Sequence, residues 1–293
     1  MKFEAIHDNR RAYPVGWMCQ VFGVSTSGYY EWRAMAPRRA LAEAERARLE
    51  RTIEAVHLGS HRNYGSPRIA PFVQGHGHDV SKSTVARRMH DCSLRSRLKR
   101  KFKVTTTSNH KLPVAPNHLM QDFRAYRPNQ IWMSDISYVP TREGWLYVCA
   151  VIDLYSRRIV GFAASQRMTV DLVIQAFLRA WYLRRPGKWL IFHSDRGSQY
   201  ACRQFVTMLQ SRGIIQSMSR RANCWDSAPI ESLWARMKTE CTYWYSFKTR
   251  EEAYEAIRAW CDEYNRDRAH SALENSSPCA FEKREVTRDI KLG

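Results

Sequence analysis

Apolar residues along the first hundred positions recur every three or four residues, the spacing of helices. From Val15 to Trp32 an apolar helix, a Gly turn, a Ser cap and a second helix give a helix-turn-helix outline. Met35 to Arg39 read as a basic, proline-containing joint. Leu41 to His57 read as a charged helix with Leu41, Ala42, Leu49, Ile53 and Val56 on its apolar side. A second helix-turn-helix outline follows. Tyr64 to Ile69 open a helix, Gly75 to Asp79 turn, and Ser81 caps a helix whose Val85 and Met89 face inward. Pro71 falls inside the first of these helices, where a proline costs roughly 3 kcal/mol. Thr105 to Asn117 are polar, proline-bearing and aperiodic, a linker pattern.

Beyond residue 130 the pattern changes to short β-rich runs. Residues 131–139, 145–153 and 157–165 predict a three-stranded antiparallel meander, with a turn at Thr141 to Gly144. Thr169 to Leu183 predict a helix, Trp189 to His193 a strand, Arg203 to Gln210 a helix and Ile214 to Met218 a short strand. The stretch from Asn223 to Lys238 turns from loop into helix. Asp226 or Ser227 is its expected N-cap, Pro229 suits its first turn, and Ile230, Leu233, Met237 and Cys241 form its buried stripe. Glu251 to Tyr264 complete the series, burying Ala253, Ile257, Trp260 and Tyr264. Three strands, helix, strand, helix, strand, helix is the order of a ribonuclease H-like core. The expected class is therefore α/β, a five-stranded mixed sheet with helices, preceded by an all-α region.

Three acids stand out against that order. Asp135 interrupts a strand, Asp195 ends an apolar run before a Gly turn, and Glu231 lies on the helix that follows. An ionised Asp buried in a strand is costly unless it is paired or bound to a metal. Three such groups brought together repel one another, and divalent cations relieve the repulsion. A lone Glu on a helix is ordinarily a solvated residue; the two upstream acids set Glu231 apart. Glu231, Ala235 and Lys238 share a neighbouring face, a surface suited to a cation and a phosphate together. Among the other polar groups, Asp153 is expected to cap or to pair with arginine, Asp226 to cap, and Glu240 to lie off the catalytic face. His193 either orients a ligand or packs.

Charge adds a partner. The net charge is +19 over 293 residues, with 23 basic against 10 acidic residues in positions 1–130 and 24 against 18 thereafter. Such an excess implies a polyanion, nucleic acid first and an anionic membrane second. Lys82, Ser83, Arg87 and Arg88 are expected to face a duplex. The run Arg95, Arg97, Lys99, Arg100, Lys101 and Lys103 adds affinity by counterion release. Eight scattered cysteines without a C-x-x-C pair disfavour a zinc ribbon or a disulfide framework and fit a reducing compartment. No long apolar span or signal pattern occurs, so a cytoplasmic protein is expected.

Asp195 and Glu231 are separated by thirty-five residues. With Asp135 they make a constellation that resembles the DD(35)E pattern of bacterial insertion-sequence transposases with an integrase-type core. The nearest likeness is to the second-frame product of the insertion-sequence-three family. It is carried by Met1-Lys2-Phe3, Tyr64-Gly65-Ser66-Pro67-Arg68-Ile69, Phe102 to Thr106, the three acidic motifs, Tyr264 to Leu273, and Ser277-Pro278.

The resemblance implies that Asp135, Asp195 and Glu231 bind two Mg²⁺ or Mn²⁺ ions, cut element ends and join them to target DNA. It implies that Lys238 contacts end DNA. It further implies terminal inverted repeats and target DNA as ligands, a homo-oligomer on DNA, and an upstream first-frame product as fusion or partner, all in a bacterial nucleoid. The corresponding domains are a helix-turn-helix-like region at 1–40, a second helix-turn-helix domain with basic tail at 41–104, a linker at 105–124, and the catalytic core with its C-terminal helix at 125–285. Two residues depart from the family pattern: Ser227, where it usually has Asn, and Pro71. They leave open a weakened copy acting as a DNA-binding regulator. A ribonuclease H-type nuclease is the third reading, disfavoured by the 35-residue gap and the N-terminal DNA-binding units.

Overall fold

A computed structural model describes residues 1–97, 112–221 and 223–292. Lys99, Arg100, Lys101 and Lys103, the Phe102 to Thr106 motif and the first part of the expected linker lie outside the described residues. The chain divides into two compact units, Met1–Ser96 and the remainder from Arg97 onward. No helix among the described residues is long and apolar enough to cross a membrane.

The first unit is all helical. Helices α1 (Lys2–Asp8), α2 (Val15–Phe22) and α3 (Thr26–Ala34) close around Ile6, Met18, Cys19 and Tyr29. Gly23 ends α2 in the left-handed conformation at φ +62°, which a glycine adopts without steric penalty. Ser25 then caps α3 by accepting the Gly28 N–H. Helix α4 (Ala36–Gly59) begins after a single residue. The expected joint at Met35 to Arg39 is thus mostly helix, because Pro37 sits in the first turn, where its missing N–H costs nothing. Leu49, Ile53 and His57 are the buried side of α4, while Leu41, expected on that side, is exposed. Helices α5 (Ser66–Gly75) and α6 (Lys82–Asp91) form the second helix pair. Pro71 lies inside α5 and the helix continues through it. The bond it forfeits would have reached only as far as Pro67, in the first turn. Ser81 caps α6 by accepting the Thr84 N–H, and Val85 and Met89 are buried.

The second unit holds a five-stranded mixed sheet in the order β3-β2-β1-β4-β5. Its strands are β1 (Ile131–Thr141), β2 (Gly144–Asp153), β3 (Ile159–Ser165), β4 (Ile191–Ser194) and β5 (Ile215–Met218). The first three are antiparallel neighbours; β4 joins β1 in parallel, and β5 joins β4 in parallel. Strand alternation sends Trp132 to one face and Met133 and Val139 to the other. The Trp132 face is covered by α7 (Val170–Arg184), α8 (Ser198–Ala201) and α9 (Arg203–Gln210). The Met133 face is covered by α10 (Ala228–Met237) and α11 (Arg250–Arg266). Gly161 permits α7 to lie against β3: a Cβ there would fall 2.2 Å from the Ala176 carbonyl oxygen. Helix α12 (Pro278–Leu292) follows, and Glu282 on it binds Arg158 and Arg184.

Residues 112–124, expected as linker, are folded onto this core. Met218 donates its N–H to the Pro116 carbonyl at 3.3 Å, His118 donates its N–H to Ser217 Oγ at 2.9 Å, and Leu119 is buried. Backbone groups of this segment thus hydrogen-bond to β5.

Candidate active site

In the parallel pairing of β1 and β4, Ser134 stands opposite Ser194. Paired strands lie about 4.8 Å apart. The next residues, Asp135 and Asp195, therefore start side by side, both half-buried. Asp195 Oδ1 accepts the Gly197 N–H at 2.9 Å. A Cβ at Gly197 would lie 2.9 Å from the same oxygen, so any side chain there would displace the Asp195 carboxylate. Beneath Asp135, on the opposite face of the sheet, Ser134 Oγ and the Tyr200 hydroxyl meet at 2.9 Å and tie β1 to α8.

The third acid arrives on α10. A 3₁₀ turn, Cys224–Ser227, leads into it, and Asn223 starts that turn by accepting the Trp225 N–H at 3.1 Å. Pro229 occupies the first turn of α10, while Ile230, Leu233, Trp234 and Met237 anchor the helix in the core. Ser227 precedes α10 and forms no side-chain cap. Glu231 is left at the surface, and the surrounding protein raises its pKa. The Asp135 carboxyl is pushed well above the usual range by desolvation first, then by the negative charges of Asp195 and Glu231. Both other acids thus act electrostatically on Asp135. Trp234 Nε1–H donates to Asp135 Oδ2 at 3.0 Å and works in the opposite direction. In this arrangement, no three His, Cys, Asp or Glu side chains among the described residues are close enough to hold one metal ion. The donor set is nevertheless all carboxylate oxygen, which suits Mg²⁺ or Mn²⁺, and its mutual repulsion is what a cation would relieve.

Asp226 does not cap α10. It is buried and accepts from Arg220 through both oxygens at 2.9 and 3.0 Å, from Asn117 at 2.9 Å and from Gln121 at 3.1 Å. Arg220 is six residues upstream, so a cap reading based on neighbours within one turn missed the pairing. His193 is fully buried, with Nδ1 2.8 Å from Ser217 Oγ, and burial lowers its pKa to about 4. It packs rather than facing a ligand. Asp153 accepts the Asn129 and Tyr155 N–H groups and pairs with Arg184 at 3.2 Å. Glu240 pairs with Arg268 at 2.6 Å, away from the three acids. The Tyr264 to Leu273 motif pins the end of α11: Asn265 exchanges two hydrogen bonds with the Ile159 backbone, and Tyr264 packs edge-on to His270.

The expected DNA-facing residues fare unequally. Lys82, Ser83 and Arg87 are exposed along α6, and Arg95 is exposed after it. Arg88 is turned back onto its own unit, 3.0 Å from Asp91 and 3.8 Å from Glu50. Arg97 lies over the Trp244 ring at 5.1 Å and donates to the Glu240 carbonyl at 3.2 Å, so it belongs to the second unit. Lys238 is 6% exposed at the start of a π turn (Lys238–Thr242), with Nζ 5.2 Å from the centre of the Tyr138 ring. Burial lowers its pKa to about 8, partly offset by Asp135. The position expected to touch DNA is thus buried. Trp234 was missed by the sequence reading. No local feature of the sequence tells where its indole N–H points.

Residues 125–224 match a family model described as an integrase core domain, and residues 212–278 match a second model of the same description. Residues 43–102 match an HTH-like domain. The "Insertion element IS600 uncharacterized 31 kDa protein" of Shigella sonnei is 44% identical over 268 residues, covering 91% of this chain and 98% of that protein. Transposase InsF for insertion sequence IS3A of Escherichia coli (strain K12) is 35% identical over 288 residues, covering 98% and 100% respectively. Among solved structures, a simian T-cell lymphotropic virus intasome in complex with PP2A regulatory subunit B56 gamma superposes with a TM-score of 0.48 at 16% identity, over 78% of this chain and 73% of that one. At that level the family assignment rests on the sequence matches.

Proposed function

This chain belongs to the IS3 family of insertion-sequence transposases, a DNA transposase with an integrase core and so a polynucleotidyl transferase, and we propose that Asp135, Asp195 and Glu231 are its catalytic carboxylates. The observation that carries this reading is the register of β1 on β4, which sets two aspartates side by side under a helix bearing a glutamate. The rise of the Asp135 pKa through Asp195 and Glu231 supports it.

In this reading the three carboxylates hold two Mg²⁺ or Mn²⁺ ions. When bound, the ions supply activation of the attacking oxygen and charge stabilisation of the leaving oxygen in an in-line displacement. The chain's own groups prepare the site. Gly197 donates its N–H to Asp195, and Trp234 donates its indole N–H to Asp135.

Terminal inverted repeats and target DNA are the ligands in this proposal. Lys82, Ser83, Arg87 and Arg95 contact phosphates, while Arg88 is spent on Asp91 and Glu50. Lys238 meets a phosphate only when an element end is seated at the carboxylates. Joining both ends of an element calls for two active sites, hence a homo-oligomer on DNA. The experiment is a strand-transfer assay with Mg²⁺ and labelled element ends. Wild type joins ends; Asp135→Asn binds the same DNA equally well and joins none. Equal joining by the two proteins would remove Asp135 from the chemistry.

A further inference from the structure

Besides Trp234, three tryptophans show how this fold treats an indole N–H. Trp244 gives its proton to the Thr239 carbonyl and Trp260 to Glu240, whereas the buried Trp132 indole N–H has no hydrogen-bond partner. The last case shows that this fold tolerates an unpaired indole N–H. Trp234 differs from all three. It is 4% exposed and its N–H is aimed at one oxygen of Asp135 at 3.0 Å.

That bond joins two elements that are distant in sequence. Asp135 is on β1, and Trp234 lies three residues after Glu231, on the same helix and about one turn further along. A shift or rotation of α10 that moved Glu231 would stretch the bond to Asp135. Packing alone does not ask for this contact, since a phenyl ring fills a core position without donating. An indole N–H is a donor with no acceptor capacity, so it fixes a carboxylate without competing with it for a cation.

We propose that Trp234 is a positioning residue for the transposition reaction: its N–H sets the orientation of the Asp135 carboxylate and couples it to the helix that carries Glu231, so that the two acids meet a divalent cation as a pair. The inference rests on the carboxylate reading above. Groups that hold a metal ligand from behind typically change metal affinity by 10- to 100-fold when removed.

The test measures Mn²⁺ binding by calorimetry on the full chain, with thermal unfolding of the metal-free proteins alongside. Trp234→Phe is expected to weaken Mn²⁺ binding about tenfold or more. Leu233→Ala, which removes buried contact from the same helix without touching Asp135, is the packing control. It is expected to leave Mn²⁺ affinity near that of wild type even where it lowers stability. Wild-type affinity in Trp234→Phe, or an equal loss in Leu233→Ala at matched stability, overturns the proposal. Asp135→Asn separates the two levels: unchanged Mn²⁺ binding in that variant defeats the carboxylate reading itself, whatever Trp234 does. Indole N–H NMR signals of the wild type give an answer that does not need the Phe variant to fold. One of the ten indole signals should be shifted by the Asp135 carboxylate and move in Asp135→Ala; if none moves, the contact is absent and the proposal fails.

Discussion

Asp135 on β1 and Asp195 just past the end of β4 each follow directly on the Ser134–Ser194 pair of two parallel strands. Two carboxylates start there within reach of each other's field, and a third on α10 adds to it. The arrangement is unfavourable for the protein alone, and the cost is measurable.

Neutralising Asp135 should therefore stabilise the metal-free protein. A carboxyl whose folded pKa lies above its unfolded value destabilises the fold at neutral pH, and the penalty fades as pH falls through the folded value. Asp135→Asn is expected to raise metal-free stability by about 1 kcal/mol, or roughly 2–4 °C in Tm. Mg²⁺ should raise the Tm of wild type and leave that of the variant unchanged. Thermal unfolding with and without Mg²⁺ reads both effects.

On α6 two adjacent arginines should behave differently. Arg87 is exposed, whereas Arg88 is held by Asp91 and Glu50. Arg87→Ala is expected to weaken binding to duplex DNA and to reduce the slope of log K against log salt by about 0.9. Arg88→Ala should leave that slope unchanged. Binding titrations at several salt concentrations distinguish the two.

The contrast between those arginines illustrates what was legible in the sequence. Helix and strand positions follow from periodicity, so the buried faces of α6, α10 and α11 and the order of the five strands could be read directly. Asp135, Asp195 and Glu231 could be singled out because acids in apolar runs need a reason. Partners distant in sequence could not be read. Arg88 looked like a DNA contact until Glu50 was brought beside it, and Asp226 looked like a cap until Arg220, Asn117 and Gln121 converged on it. Residues 112–119 looked like linker because their bonds go to a sheet edge formed a hundred residues later. Trp234 looked like one more apolar position, since nothing local tells where an indole N–H will point.

Asp226 should supply an acid-sensitive part of the stability. Hydrogen bonds from Arg220 hold its pKa well below the usual carboxylate range. The stability it contributes is complete above the unfolded carboxylate value near 3.9 and is lost as pH falls below it. Asp226→Ala removes the hydrogen bonds that Arg220, Asn117 and Gln121 make to a buried carboxylate and should cost roughly 1–3 kcal/mol at neutral pH. Urea unfolding at pH 7 and pH 3 should show a smaller difference between variant and wild type at the lower pH.

His193 should titrate late. Burial lowers its pKa to about 4, so the imidazole stays neutral in the fold at pH values where an exposed histidine is charged. Its contribution to stability is present above an unfolded value near 6.5 and declines as pH falls toward 4. An NMR titration should find its ring signals unchanged from pH 7 to pH 5.5; a midpoint near 6.5 would contradict the packed assignment.

The most direct measurement is a crystal structure of the protein with element-end DNA and Mn²⁺, using anomalous scattering to find the metal. Density is expected between Asp135 and Asp195, with Glu231 completing the set and carboxylate oxygens roughly 2.0–2.2 Å from the ions. Manganese bound elsewhere, or Glu231 pointing away from it with DNA in place, would contradict the account.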